Sequence, residues 1–256
     1  MSLLDAVNQG NLGRVQELIN EGARVNQSGQ FYMTALIKAT QIRNLEIVKV
    51  LIAAGANVHV VDFYGKTALI YASRHQGNLE AVKLLIAAGA NVNHADYSGT
   101  TALMNACING VIEIAKVLIA AGADINKGGE FGNTALIYAC KYGHLSTVKL
   151  LVSKGADVDM VNVNGESALD IATKFERIEI INFLTKVKNR GYLEDFQRIS
   201  RTARRTVRSR QGQLETLTPL DPDVSRLIAQ KSLNSFGKKK RMSHGLNGEI
   251  RYLRSL

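Results

Sequence analysis

The sequence predicts an all-helical solenoid of about six repeats, and two marks that recur in step along the chain carry this prediction. Each mark occurs at five positions, separated by 33 or 34 residues. Between the marks, apolar residues recur every three or four positions, which is the spacing of helices with one buried face. The first mark is Thr-Ala-Leu or Ser-Ala-Leu, beginning at Thr34, Thr67, Thr101, Thr134 and Ser167. The second is Gly-Ala, beginning at Gly22, Gly55, Gly89, Gly122 and Gly155.

Each mark predicts one element of the repeat. A Thr or Ser hydroxyl can accept a hydrogen bond from a free backbone N–H, so the first mark begins the first helix of each pair. The glycine of Gly-Ala ends the second helix, because a left-handed conformation is favourable only without a Cβ. A further glycine lies two residues before each later Thr or Ser and predicts a tight hairpin turn. The extra residue of the third repeat falls at 74–77, the predicted turn between its two helices.

Two stretches of this pattern resemble a known family. They are Asp62-Phe-Tyr-Gly-Lys-Thr-Ala-Leu and Tyr142-Gly-His-Leu-Ser-Thr-Val-Lys-Leu-Leu-Val-Ser-Lys-Gly-Ala-Asp, and both are similar to the ankyrin repeat. The resemblance covers residues 1 to about 185. The usual Thr-Pro-Leu-His of the family is replaced by Thr-Ala-Leu-Ile or Thr-Ala-Leu-Met. Alanine favours a helix, so we expect the fold to survive this departure.

The fold class expected from this resemblance is an all-α ankyrin-repeat solenoid with a helical, basic C-terminal extension. The first and sixth repeats depart from the pattern, as expected of repeats that cap a solenoid. The predicted segments are an N-terminal cap at 1–28, repeats at 29–61, 62–95, 96–128 and 129–161, a C-terminal cap at 162–185, and the extension at 186–256.

The resemblance implies a partner-binding groove lined by the hairpin tips and the first helix of each pair. Aromatic side chains there would make good anchors, because they bury a large area at a low entropic cost. We expect the site to centre on Tyr71, Tyr138, Phe63 and Tyr97; the alternative is that Phe31, Phe63 and Phe131 pack against neighbouring hairpins and only the tyrosines reach solvent. The predicted partner-binding residues are Phe63, Tyr64, Lys66, Tyr71, Arg74, Tyr97, Asn105, Asn109, Phe131, Tyr138, Lys141 and Tyr142.

The positive charge of the chain is concentrated at its C-terminal end. Residues 1–185 hold 15 Lys and Arg against 16 Asp and Glu, so 17 of the 32 basic residues and 6 of the 22 acidic residues lie in 186–256. Helices are predicted at 192–210 and 221–234, and the first could dock on the last repeat, lie on an anionic membrane or meet a partner helix. The basic side chains selected here are Arg204, Arg205, Arg208, Lys238, Lys239, Lys240 and Arg241. The four at 238–241 suit a nuclear-import signal, an acidic lipid or nucleic-acid contact, or a solubilising role.

These observations favour a non-catalytic module that binds a partner protein, as a scaffold or adaptor. The alternatives are a basic tail that binds nucleic acid or membrane while the repeats support it, and a tail that folds back on its own repeats. The sequence contains no phosphate loop, nucleophile elbow or metal-ligand spacing, so we expect no enzyme, cofactor, metal or small-molecule substrate. Cys107 and Cys140, 33 residues apart, read as buried small residues of a reducing compartment.

The remaining expectations concern location and assembly. No apolar run is long enough to span a membrane, and the chain does not open with a charged segment followed by an apolar stretch, so we expect no secretory signal. We therefore expect an intracellular monomer, in the cytoplasm or the nucleus. Proteins of this kind from intracellular bacteria and large viruses engage host proteins, so the resemblance also implies a host-directed effector, secreted into a host cell if the source is a pathogen.

Overall fold

The computed structural model describes residues 1–191, and the two predicted tail helices and the basic side chains of the tail lie outside these residues. Within them the chain forms twelve α-helices, and extended backbone pairs only as isolated bridges. The helices are α1 (Leu3–Asn8), α2 (Leu12–Asn20), α3 (Ala35–Gln41), α4 (Leu45–Ala53), α5 (Ala68–Ala72), α6 (Leu79–Ala87), α7 (Ala102–Ile108), α8 (Ile112–Ala120), α9 (Ala135–Tyr142), α10 (Leu145–Ser153), α11 (Ala168–Lys174) and α12 (178–191).

The caps that the two recurring marks predict are present. Thr34, Thr67, Thr101 and Thr134 each accept a hydrogen bond from the backbone N–H three residues later, at 3.2–3.4 Å. Ser167 does the same within a capping box with Asp170. All five glycines of the Gly-Ala pairs lie at φ between 80° and 90°. The helix boundaries of the solenoid therefore follow from local backbone chemistry.

The helices form two stacked rows. The first helices of successive pairs (α1, α3, α5, α7, α9 and α11) pack on one another in chain order, and the second helices from α2 to α10 form a parallel row. Their shared apolar faces form one continuous core of Leu, Ile, Val and Ala side chains, in which Leu69, Leu103 and Leu136 are all 1% exposed. The predicted helical solenoid is thereby confirmed.

The last helix extends further than the sequence predicted. The sequence predicts that the C-terminal cap ends at 185, but α12 continues to residue 191, the last described residue. Ile180 and Leu184 are buried against the core, and Lys188 Nζ lies 2.6 Å from Asp159 Oδ1 in the preceding repeat. A tertiary ion pair and the absence of Gly or Pro before Gly191 explain the difference, because neither feature belongs to the repeat pattern.

Asparagine side chains link consecutive repeats next to the Gly-Ala turns. Asn26, Asn93 and Asn126 each donate to the carbonyl of the glycine in the next Gly-Ala pair and accept a backbone N–H two residues beyond it. The acceptor bonds are short, at 2.7–2.9 Å. The second repeat has His59 at this position, and no corresponding side-chain bond from His59 to the third repeat is among those of the described residues.

We expect His59→Asn to stabilise the protein by about 1 kcal/mol, because it would restore two hydrogen bonds between repeats at a site that lacks them. Urea unfolding followed by circular dichroism measures the change as a shift in midpoint at constant slope. Asn93→His, the reverse exchange in the next repeat, is the matched control and should destabilise the protein by a similar amount. A His59→Asn variant no more stable than the wild type would contradict this account of the link.

Candidate functional site

Five short hairpin loops, here called fingers, precede helices α3, α5, α7, α9 and α11. In each, the N–H of the first residue donates to the carbonyl of the fifth at 2.9–3.0 Å, as with Asp62 and Lys66. Each finger also bonds to the next one. The four donors are the backbone N–H groups of Phe63, Tyr97, Glu130 and Val163, and the acceptors are the carbonyls of Phe31, Tyr64, Ser98 and Phe131, at 2.9–3.1 Å. The fingers therefore form a continuous hydrogen-bonded row.

Three of the fingers share one turn type. Asp62, Asp96 and Asn162 are buried, and the Oδ1 of each accepts two backbone N–H groups of its own finger at 2.8–3.0 Å. The glycine three residues later lies at φ 72–75° in all three. A short polar side chain that bonds its own backbone and a glycine at positive φ together specify a tight turn. The glycine requirement predicted from the sequence is therefore confirmed for these turns.

The fingers of the second and fifth repeats begin with glycine instead and place bulky residues in the left-handed region. Phe31 lies at φ 55° and ψ 30°, and Phe131 at φ 57° and ψ 19°. Tyr32, at φ 55°, occupies the position that is glycine in the other four fingers. Each such residue costs about 1–2 kcal/mol relative to glycine, and strain of this kind is concentrated at functional sites. The sequence analysis missed Tyr32, although the absence of glycine there marked this finger as unusual.

Aromatic side chains of the second to fifth repeats project from the fingers into solvent. Phe31 and Phe63 meet edge to face with ring centroids 6.2 Å apart, and Phe63 meets Tyr64 in the same way at 5.5 Å. Tyr97 is 77% exposed, and Phe63 and Phe131 are more than half exposed. Phe31 and Phe63 therefore touch neighbouring rings, and all three phenylalanines reach solvent, so the alternative in which only the tyrosines are exposed is wrong. We call Phe31, Tyr32, Phe63, Tyr64, Tyr97 and Phe131 the finger aromatics.

Tyr71 is not the exposed groove anchor that the sequence predicts, because its side chain is only 8% exposed. Its hydroxyl donates to Asp62 Oδ2 at 2.7 Å, while the other oxygen of this buried carboxylate accepts the two finger N–H groups. Burial, followed by the Asp62 hydrogen bond, raises the pKa of the Tyr71 hydroxyl well above its usual range. Tyr71 thus supports the finger from beneath rather than presenting an anchor. The pairing of an Asp at the start of a finger with a Tyr nine residues later was the signal that could have revealed it.

The other predicted residues divide between the fingers and the first helices. Lys66 Nζ lies 5.8 Å from the Tyr64 ring centroid and 3.9 Å from Asp96 Oδ2, so it joins two fingers. Lys141 Nζ lies over the rings of Tyr142 and Phe175, at 5.6 and 5.7 Å. The structure places the remaining members as follows: Arg74 and Asn109 are exposed, Asn105 and Tyr138 are half-buried, and Asn109 Nδ2 donates to the Asn105 carbonyl at 2.8 Å.

The second helices carry a different surface. The sequence places one lysine per repeat there, and Lys49, Lys83 and Lys116 each lie 2.7 Å from a glutamate three residues earlier. The fifth repeat has serine at the glutamate position, and Lys149 Nζ instead lies 5.9 Å from the Phe183 ring centroid. This row of side chains is therefore largely neutralised by local pairs, which are worth only a few tenths of a kcal/mol each.

Neither cysteine is placed for chemistry at neutral pH. Cys107 and Cys140 are buried, and burial raises both thiol pKa values, that of Cys140 to about 12. Both thiols are therefore protonated at neutral pH, and only a thiolate is an effective nucleophile or metal ligand. Among residues 1–191, no group of three or more His, Cys, Asp and Glu side chains could hold a metal ion. The same part of the chain contains no helix long and apolar enough to cross a membrane.

Comparisons with known proteins agree with this architecture. A family model of ankyrin repeats matches residues 3–96, 74–128 and 103–192. A sheep protein named "Ankyrin repeat, SAM and basic leucine zipper domain-containing protein 1" is 37% identical over 73 residues, which are 28% of this chain and 15% of that protein. The "Putative ankyrin repeat protein R664" of Acanthamoeba polyphaga mimivirus is 31% identical over 72 residues, or 28% of this chain and 44% of the viral protein. The chain therefore spans less than half the length of these relatives.

Ankyrin repeats act generally as protein–protein interaction modules, and the relatives found here are repeat proteins of that kind. The helix pairs, the capped first helices and the hydrogen-bonded fingers described above are the elements from which such modules are built. The family model matches nearly all of the described residues. We conclude that this chain belongs to the ankyrin-repeat family.

Proposed function

We propose that this protein is a non-catalytic scaffold or adaptor that binds one partner protein through the finger aromatics and the exposed side chains of the first helices. The observation that carries the proposal is the row of exposed aromatic rings on fingers that are bonded to one another. Rings held this way offer a large apolar area at little entropic cost on binding. A source in a pathogen, with a host protein as the partner, belongs to the same proposal and is supported by the likeness to the mimivirus protein.

The strained first finger supports a binding role independently. Phe31 and Tyr32 lie outside the core, since both are more than 60% exposed, yet both lie at φ 55°. A glycine at Tyr32 would relieve the strain, as it does in the other four fingers. An exposed aromatic residue retained at a cost in stability is expected where its side chain contacts a partner.

Site-specific photocrosslinking tests the proposal. A photoreactive phenylalanine analogue would replace Tyr97 on a finger in one protein and Lys116, on the second helix of the same repeat, in another. In cell lysate we expect the finger position to crosslink to one discrete protein and the second-helix position to give none. Equal crosslinking from both positions, or none from the finger, would show that the fingers are not the binding surface.

Once the partner is identified, the variant Tyr32→Gly distinguishes an effect on binding affinity from an effect on folding stability. We expect the variant to be more stable by about 0.5–1 kcal/mol, because the relief of strain at positive φ exceeds the greater backbone entropy that glycine loses on folding. We also expect it to bind the partner more weakly. Urea unfolding and isothermal titration calorimetry measure the two effects. Since the protein would be more stable, the weaker binding could not be attributed to unfolding. A stabilised variant with unchanged affinity would remove Tyr32 from the proposed surface.

A second candidate function follows from the charge of the tail. Residues 186–256 hold 17 basic against 6 acidic residues, which supports binding of nucleic acid or an anionic membrane by the tail with the repeats as scaffold. Binding to a single-stranded oligonucleotide or to phosphatidylserine vesicles should then weaken steeply between low and moderate salt, because counterion release drives such contacts. Affinity that does not change with salt would count against this function.

A further inference from the structure

The first helices carry positive charge that the rest of the described chain does not neutralise. The first helices of the second to fifth repeats, each taken with the turn that follows it, span 35–43, 68–78, 102–111 and 135–144. These four segments contain four Lys or Arg in total and no Asp or Glu. These four are Lys38, Arg43, Arg74 and Lys141, here called the basic set. No ion pair of the described residues includes any of them. The contrast is with the second helices, where three lysines pair with glutamates at 2.7 Å.

The two lysines of the basic set contact uncharged groups. Lys38 Nζ donates to Gln41 Oε1 at 3.2 Å, and Lys141 Nζ lies over two aromatic rings. Arg74 is exposed on the turn that follows α5. These contacts hold the cations in place without cancelling their charge, so each can still pair with a carboxylate from outside the chain.

Arg43 adds a second indication. It lies at φ 61°, in the turn after α3, where the corresponding turns of the first, fourth and fifth repeats have Gly10, Gly110 and Gly143. An exposed arginine at a position that favours glycine is strained for no gain in packing. The equivalent position of the sixth repeat holds Glu176 at φ 54°, so the strain is shared while the positive charge is particular to Arg43.

We infer that the partner segment bound by this surface is acidic: a stretch of chain rich in Asp and Glu with apolar or aromatic residues between them. Its carboxylates would pair with the basic set, and its apolar side chains would pack on the finger aromatics. The inference rests on the function proposed above and specifies its ligand. The same charge argument disfavours the basic tail of this chain as the occupant, because like charges would repel.

Selection from a displayed library of random short peptides, with the full-length protein as bait, tests the inference. Because the tail could itself retain acidic peptides, two variants of equal charge are compared by fluorescence anisotropy. Arg74→Glu with Lys141→Glu changes the first helices, and Lys83→Glu with Lys116→Glu changes the second helices; each pair lowers the formal charge from +10 by four. Thermal unfolding by circular dichroism verifies that both variants are folded.

We expect the selected peptides to be acidic, and their affinity to fall about tenfold or more in the first-helix variant and less than about threefold in the second-helix variant. Equal losses in both variants, or none in either, would assign acidic binding to the tail or to net charge and overturn the inference. If the selected peptides are neutral or basic, and their binding is abolished by Phe63→Ala, the proposed function would stand and the inference would be wrong. Failure to select any peptide, together with failed crosslinking from Tyr97, would overturn both. If no peptide binds, and a single-stranded oligonucleotide binds the wild type and the second-helix variant but not the first-helix variant, the ligand of this surface is nucleic acid and the inference is wrong.

Discussion

Replacement of Gly99 by valine should destabilise the protein by about 3–5 kcal/mol. Gly99 lies at φ +72°, and a Cβ built on it would approach Glu130 N at 3.0 Å and the backbone C and Cα of Gly129 at 3.1 and 3.2 Å. Those atoms belong to the backbone of the next finger and cannot move as a side chain would. The variant therefore incurs the cost of a β-branched residue in the left-handed region, about 1–2 kcal/mol, together with the displacement of the finger at 129–133. That displacement would also break the bond from Glu130 N–H to the Ser98 carbonyl.

The same substitution at Gly165 separates these two contributions. Gly165 has almost the same conformation, at φ +73°, but a Cβ there would meet no atom within 4 Å. Gly165→Val should therefore cost only the backbone term, about 1–2 kcal/mol. Urea unfolding of both variants gives the comparison. If the two cost the same, contact between neighbouring fingers contributes nothing to stability, and the register of the fingers described above would be in doubt.

Truncation of Leu103 to alanine should cost about 2–5 kcal/mol. Leu103 is 1% exposed in α7, which packs between α5 on one side and α9 on the other. The cavity would lie at the middle of a row in which each repeat is stabilised mainly by its two neighbours. We therefore expect a lower unfolding midpoint, and a broader transition if the two ends of the row begin to unfold separately. Circular dichroism in urea measures both.

Tyr97→Ala is the matched control for this prediction. It removes a larger side chain from the same repeat, but one that is 77% exposed, so stability should change by less than about 1 kcal/mol. The same variant should weaken binding of the crosslinked partner. A large loss of stability from Tyr97→Ala, or a small one from Leu103→Ala, would contradict the assignment of Leu103 to the core and of Tyr97 to the exposed surface.

The parts of this fold that could be predicted from sequence are those decided within a few residues. A threonine cap, a glycine after a helix and the extra residue at 74–77 each act on their own backbone, and all lie where the pattern places them. The burial of Tyr71 could not be read in the same way, because it depends on Asp62 presenting a free carboxylate oxygen nine residues earlier. The continuation of α12 depends similarly on Asp159, an even more distant residue.

The candidate site shows the same division. The exposed rings of Phe63, Tyr97 and Phe131 follow from their place at the finger tips. The strained conformations of Phe31 and Tyr32 do not, because a conformation that local preference disfavours is visible only once the whole finger is seen. Three of the second helices have a glutamate three residues before their lysine, and the first helices of the second to fifth repeats have none. This signal is present in the sequence but is weak unless the helices are known.

The backbone bonds between fingers have a consequence for how this protein could diverge. Because each finger after the first donates to its predecessor, a residue inserted in an inner finger would break bonds on both sides of it. The one insertion between the recurring marks lies instead in the turn at 74–77. The distance between neighbouring fingers is thus constant, unlike that of loops joined only at their ends. Changes of partner in related proteins should then arise by substitution at the tips or by gain and loss of whole repeats, and a new ligand must match the spacing of the fingers.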